Sequence, residues 1–269
     1  MARQDPSRPI RSLFTREFLA LIRNARGRAL AELQPLLRRT NLEAGEVLKI
    51  LEMLNLAYID QPGRQLIQRY VLQAYKGGIG DTHNILLAQV KSPSDLIKIS
   101  LNFTRPDERA IANLSATSFA DLAGFTTEMS KKIVRDLVEL DKKGAGIMKM
   151  SAAIQQGYLG IGAARAEAIA RTTTTQAYNQ AAWSRIGEYA PYKEWIPTLT
   201  DSRTRPSHLA MKGVIIDVDQ PFEVPAYRVS INTRVPACQM MFPGDSSLGA
   251  PAAQIIQCRC AVVPRFLKK

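Results

Sequence analysis

Two short stretches hold most of the side chains able to act as a nucleophile, a base or a metal ligand. Leu199 to Gly213 reads LTDSRTRPSHLAMKG and contains Asp201 and His208, one of only two histidines. Ile256 to Cys260 reads IQCRC and contains Cys258 and Cys260, two of the three cysteines. A carboxylate, an imidazole and a thiol are the groups used in nucleophilic catalysis. Yet no glycine-framed nucleophile elbow surrounds any of them. Nor does Gly77-Gly78 carry the trailing Gly-Lys-Ser/Thr of a phosphate loop. An odd cysteine count predicts a chain made in a reducing cytoplasm, with thiols free or metal-bound. A disulfide inside Cys258-Arg259-Cys260 would be strained. His83 lies far upstream and reads as an ordinary helix or surface residue.

The elements that must position these stretches are read from periodicity. Over 11–57, apolar residues fall at three- and four-residue spacings, which predicts helices, with Asn41 as an N-cap. IDQPGRQ predicts a turn at Pro62-Gly63. Residues 64–90 predict a further helix interrupted near KGGIGD. FTRPDERAIANL is a helix start, with Thr104 as cap, Pro106 in the first turn, and Asp107 and Glu108 at the positive dipole end. A separate helix over 127–143 is expected to stop at Gly144.

Gly160-Ile161-Gly162 predicts a tight inter-helix turn ahead of a helix over 163–188. That helix carries a stripe of small residues, Ala166, Ala170, Thr173, Ala177 and Ala181, which admits another backbone closely. Four consecutive threonines, Thr172 to Thr175, weaken a helix. Either packing holds them or their hydroxyls are used. Beyond Tyr189 prolines become frequent and short β-like runs appear: KEWIPTL, GVIIDV, AYRVSI and CAVVP. The fold class is therefore α+β. A helical N-terminal region, 1–100, precedes a segment, 101–269, in which a long helix packs against a small irregular β-rich C-terminal unit.

The chain has 269 residues and a formal charge of +12, and 46% hydrophobic residues suffice for a sizeable core. Residues 1–10 read as a mobile arm. No stretch approaches the roughly 20 apolar residues of a membrane span, and the N-terminus lacks the apolar core of a secretory signal. Residues 1–39 hold nine arginines against three acids, which is half of the net charge. Arg11, Arg16, Arg23, Arg26, Arg28, Arg38 and Arg39 are candidate phosphate contacts, sequence-independent and salt-sensitive. Helix, helix and turn with arginines resemble a winged-helix DNA reader. With no clear wing strands following, a small helical docking module is the preferred reading.

The ordered set RAEAIARTTTTQAYNQA, EW, TDSRTRPSHLAMKG, PFEVP, FPGD and APAAQIIQCRCAVVP resembles the phage Mu F-like head morphogenesis proteins, also called minor capsid or minor head proteins. The resemblance runs from about Phe103 to Pro264. The family's Ala-Arg-Thr-Glu reads Ala170, Arg171, Thr172 and Thr173 here, so its glutamate is absent. Many relatives carry Cys-x-x-Cys where this chain has Arg205 and His208, and their Cys-x-Cys matches Cys258 and Cys260. With four cysteines that arrangement has the ligand types of structural zinc. Here His208, Cys258 and Cys260 remain, with Asp201, Cys238 or water as the fourth. The competing reading is a hydrogen-bonded brace around His208 with buried thiols. Either way the two stretches should meet.

The resemblance implies a non-enzymatic, low-copy protein of the virion, inside the capsid near the portal and made in the host cytoplasm. The partners it implies are the portal protein, packaged DNA, and other capsid or scaffolding proteins, with no membrane. Two alternatives remain: a DNA-binding protein with a winged-helix N-terminus, and a Cys-His thiol hydrolase. Relatives that place cysteine at position 208 weigh against a general base there.

Overall fold

The structure, a computed structural model, describes residues 7–38, 42–89, 102–197 and 204–266. Among the described residues five long helices come first: α1 (Arg8–Leu33), α2 (Ala44–Asn55), α3 (Gln61–Gln89), α4 (Arg105–Lys142) and α5 (Ile147–Tyr189). A 3-10 turn (Leu36–Arg38) follows α1, and a π turn (Leu56–Asp60) precedes α3. Then come β1 (Tyr192–Pro197), α6 (Pro206–Ala210), β2 (Ile215–Asp217), β3 (Phe222–Val224), β4 (Tyr227–Ser230), β5 (Thr233–Val235), β6 (Cys238–Met240), α7 (Ala252–Ile255) and β7 (Cys260–Arg265). The expected α+β class holds.

The chain divides into two compact units. A helical unit comprises Ser12–Arg69 and Ser115–Ala170. A mixed unit comprises the described residues of Met1–Arg11, Tyr70–Leu114 and Arg171–Lys269.

In the helical unit, α1 buries Phe14, Phe18, Ile22, Ala25, Ala29 and Leu33. Steps of three and four residues place them on one stripe. Val47, Leu51 and Leu54 of α2 and Leu122, Met129, Ile133 and Leu137 of α4 are also buried. Glycines set the closest approaches. A Cβ on Gly157 would lie 2.3 Å from Ile133 Cγ1, and one on Gly63 would lie 2.5 Å from Leu122 Cδ2. Asn55 donates to Ser130 Oγ at 2.8 Å and accepts from the Tyr158 hydroxyl at 2.9 Å. Thr126 donates its hydroxyl proton to the Asp60 carboxylate at 2.9 Å.

In the mixed unit, β1 is the centre of an antiparallel sheet ordered β2-β1-β7. Trp195 pairs with Val262, and Pro197 with Cys260. Two small ladders, β3–β6 and β4–β5, stand beside it in sequence. One face of β1 is buried, with Trp195 joining Ala182, Ile186, Phe222, Met240 and Val262 in a common core. At the start of α4, the Thr104 N–H and hydroxyl both donate to Asp107 at 2.8 Å, and the Asp107 N–H returns to Thr104 Oγ1. This is a reciprocal cap. Asp107 also accepts from Arg185 at 2.6 Å and from the Tyr75 hydroxyl at 2.7 Å.

Several sequence expectations are corrected. The Pro62-Gly63 turn lies inside continuous helix; the π turn ahead of it includes Tyr58, whose carbonyl the proline ring would otherwise strike. The break near KGGIGD is absent, because Gly78 serves packing: a Cβ there would lie 2.3 Å from the Tyr178 carbonyl oxygen. Gly160-Ile161-Gly162 lies within α5, and a Cβ on Gly162 would come 3.0 Å from Ile22. The separate helices at 105 and 127 are one helix, α4, which ends as expected before Gly144 with φ +63°. Helix α1 begins at Arg8, inside the stretch read as an arm. Asn41 lies outside the described residues, and the N-cap of α2 is Glu43.

Candidate metal centre

The site is built on one face of α5. Thr172, Thr175, Gln176 and Asn179 are spaced three, four and seven residues from the first, so they share that face. Thr172 Oγ1 accepts from the Gln257 N–H at 3.0 Å, and Thr175 donates to the Cys258 carbonyl at 3.2 Å. Gln176 donates to the Gly244 carbonyl at 2.9 Å. Asn179 donates to the carbonyls of Pro243 and Cys260 at 2.9 and 2.8 Å, and accepts from the Val262 N–H at 3.2 Å. The Arg171 guanidinium reaches Gln257 Oε1 at 3.4 Å. Gln257 itself takes φ +60°, a conformation a side chain resists. The helix thereby grips the backbone on both sides of Cys258, and of the two readings left open for the threonine run, the hydroxyls of Thr172 and Thr175 are used.

The other wall is α6, started by Pro206 at its first turn. Ser207 donates to Gln254 Oε1 at 2.9 Å, and Gln254 donates in turn to the carbonyls of Pro225 and Pro236. Arg205 donates to the Ile256 carbonyl. Trp195 of β1 packs against the His208 ring at 5.2 Å in a T-shaped contact.

These walls bring His208, Cys258 and Cys260 together, all buried. His208 Nδ1 lies 3.6 Å from Cys258 Sγ and 3.5 Å from Cys260 Sγ. The Cys260 N–H points to Cys258 Sγ at 3.5 Å. A hydrogen bond from the Cys260 thiol, aided by the charge of His208, holds Cys258 well below the ordinary thiol range. That same bond and burial hold Cys260 well above it. His208 Nε2 is buried without a hydrogen-bond partner among the described residues.

One imidazole nitrogen and two sulfurs are zinc donors. Tetrahedral zinc, with Zn–N of about 2.0 Å and Zn–S of about 2.3 Å, sets N···S edges near 3.5 Å. The observed 3.5 and 3.6 Å match, so donor type and spacing fit the metal. The same distances also fit S–H···N hydrogen bonds of a brace.

Asp201, the candidate fourth ligand, lies outside the described residues. Cys238, on β6, is not part of the cluster. His83 lies in α3 with Nδ1 buried and unpartnered among the described residues. Of the basic candidates, Arg16, Arg23, Arg28 and Arg38 are exposed, Arg11 and Arg26 are half-buried, and Arg39 is outside the described residues. Arg28 lies over the Tyr58 ring at 5.5 Å. The supporting residues Asn179, Gln254 and Ser207 were not singled out from sequence; the helical spacing of Thr172, Thr175 and Asn179 is the signal that could have found the first.

Residues 131–263 match the family model described as Phage Mu protein F like protein. The family resemblance drawn from the motifs holds over this stretch. No curated protein and no solved structure matches the chain.

Proposed function

We propose that this chain is a structural minor component of a tailed-phage head, placed inside the capsid at the portal vertex and serving head assembly and DNA packaging or delivery. The observation that carries the reading is the match of 131–263 to phage Mu protein F like protein, which suggests a head morphogenesis protein. Its partners on this reading are the portal protein, other capsid or scaffolding proteins, and packaged DNA. The exposed arginines of α1, Arg16, Arg23 and Arg28, supply a salt-sensitive phosphate contact.

The clasp is structural on this reading. His208, Cys258 and Cys260 hold a zinc ion, with Asp201 or water as the fourth ligand. When bound, the metal supplies a cross-link between α6 and the Cys-x-Cys loop at the start of β7, and favours deprotonated sulfur. Burial of His208 and Cys258 at 1% exposure speaks against a thiol hydrolase, whose nucleophile must reach a substrate. A winged-helix reader is also disfavoured: among the described residues up to Gln89, the elements are helices alone.

Two measurements test this. The chain should co-purify with assembled heads and be pulled down by portal protein; absence from heads overturns the reading. Metal analysis of the purified full chain should give stoichiometric zinc that is lost in His208→Ala. Equal, negligible metal in both proteins would leave the brace in its place.

A further inference from the structure

From Arg228 to Arg234 every residue of the β4–β5 hairpin is exposed. Ile231 at the tip is 90% exposed, and Val229 is 63% exposed. Arg228 pairs directly with Arg234, so both guanidinium groups leave the same face of the ladder. Like charges directly opposite each other weaken a strand pair. No acid occurs between Pro225 and Ala237 to offset them. The ladder has only two strands, leaving an open edge on each among the described residues. Its base is held: the Tyr227 hydroxyl donates to the Ala253 carbonyl at 3.2 Å. A sequence that keeps opposed arginines and a bare isoleucine on a two-stranded ladder works against the ladder's own stability. Such local conflict marks a functional surface.

We propose that this hairpin is a docking finger for an acidic protein surface. Arg228 and Arg234 bind carboxylates of the partner, and Ile231 enters an apolar socket between them. Charge-assisted bonds around one buried apolar anchor are the usual makeup of a strong contact. A second copy of this chain is a poor occupant, because it would present the same two arginines. DNA is also a poor occupant. Two cations release few counterions and bind weakly, and Ile231 and Val229 contribute nothing to a phosphate contact. The inference rests on the reading of the chain as a head component, so the partner is another protein of the particle.

The test is incorporation into heads. Particles are assembled with the full-length wild-type chain, with Ile231→Asp, with Arg228→Glu/Arg234→Glu, or with Lys142→Glu as a charge control elsewhere. The copies of the chain in purified heads are then compared. Circular dichroism and thermal melting check folding, which the exposed position should leave unchanged. Both hairpin variants should fall by about tenfold or more, with the control at wild-type level. Wild-type incorporation of the hairpin variants overturns the finger and leaves the head reading standing. Absence of the wild-type chain from heads removes both. Hairpin variants that enter heads normally but lose binding to a short DNA duplex would make DNA the occupant, and overturn the acidic partner.

Discussion

The two units handle buried polarity in opposite ways. In the helical unit two buried polar networks, among the described residues, close on neutral partners: Asn55 with Ser130 and Tyr158, and Asp60 with Thr126. Burial pushes the Asp60 carboxyl up, towards its neutral form. The mixed unit buries charge. Burial alone would raise Asp107, but hydrogen bonds from Tyr75 and Thr104 and the charge of Arg185 hold it below the usual carboxylate range. Lys193 lies on the buried face of β1, fully covered, with Nζ unpartnered among the described residues. Its Nζ lies 5.2 Å from the ring of Phe222 and 5.9 Å from that of Trp183, and the charges of Asp219 and Asp245 offset part of the burial. Neutral polar groups fix how helices pack at little electrostatic risk. Buried charge is stabilising only while its partner remains.

This contrast can be broken at three points. The largest effect should come from Asp107→Ala, which removes the fully buried partner of the Arg185 guanidinium, 2% exposed on its side chain, and leaves it the half-exposed Glu188 and the Asn102 carbonyl as acceptors among the described residues. A loss of about 3–5 kcal/mol is expected in urea unfolding. A loss under about 1 kcal/mol would show that Glu188 and the Asn102 carbonyl suffice to hold the Arg185 charge. Next is Asn55→Ala in the helical unit, which leaves two neutral hydroxyls without their amide and should cost about 2 kcal/mol. If it equals the Asp107 variant, the distinction between neutral and charged networks fails.

The smallest effect has the opposite sign. Lys193→Met should stabilise by about 1 kcal/mol at neutral pH, since an unpaired buried amine gives way to an apolar chain of similar length. Burial lowers the lysine to about 8. The folded state thus releases its proton before the unfolded chain does. Wild-type stability should be flat in this respect below about pH 8, and should climb from there towards the ordinary lysine range. The methionine variant should lack that climb in pH-dependent melting curves.

The meeting of His208 with Cys258 and Cys260 was legible because rare residue types stood in two short stretches, and the ordered motifs carried the resemblance that the match over 131–263 supports. The α5 stripe was legible too: Ala166, Ala170, Ala177 and Ala181 are fully buried. Helix continuity was not. Gly63, Gly78 and Gly162 look like punctuation in one dimension, yet each is there because another residue occupies the space of its Cβ. Strands β3, β5 and β6 have three residues each, too few for alternation to register. Asp107 was read as a helix-dipole acid, and its pairing with Arg185 was invisible because 78 residues separate them. Lys193 sits in a run that alternates like any half-buried strand, and nothing local signals that the amine faces inward.

Trp195 touches His208 edge-on and is wholly shielded from water. An indole in that setting emits at short wavelength, and its brightness is sensitive to the protonation or ligation of an adjoining imidazole. The protein thus carries an optical reporter in its own interior, and opening of the clasp would change its light output before any gross unfolding registered.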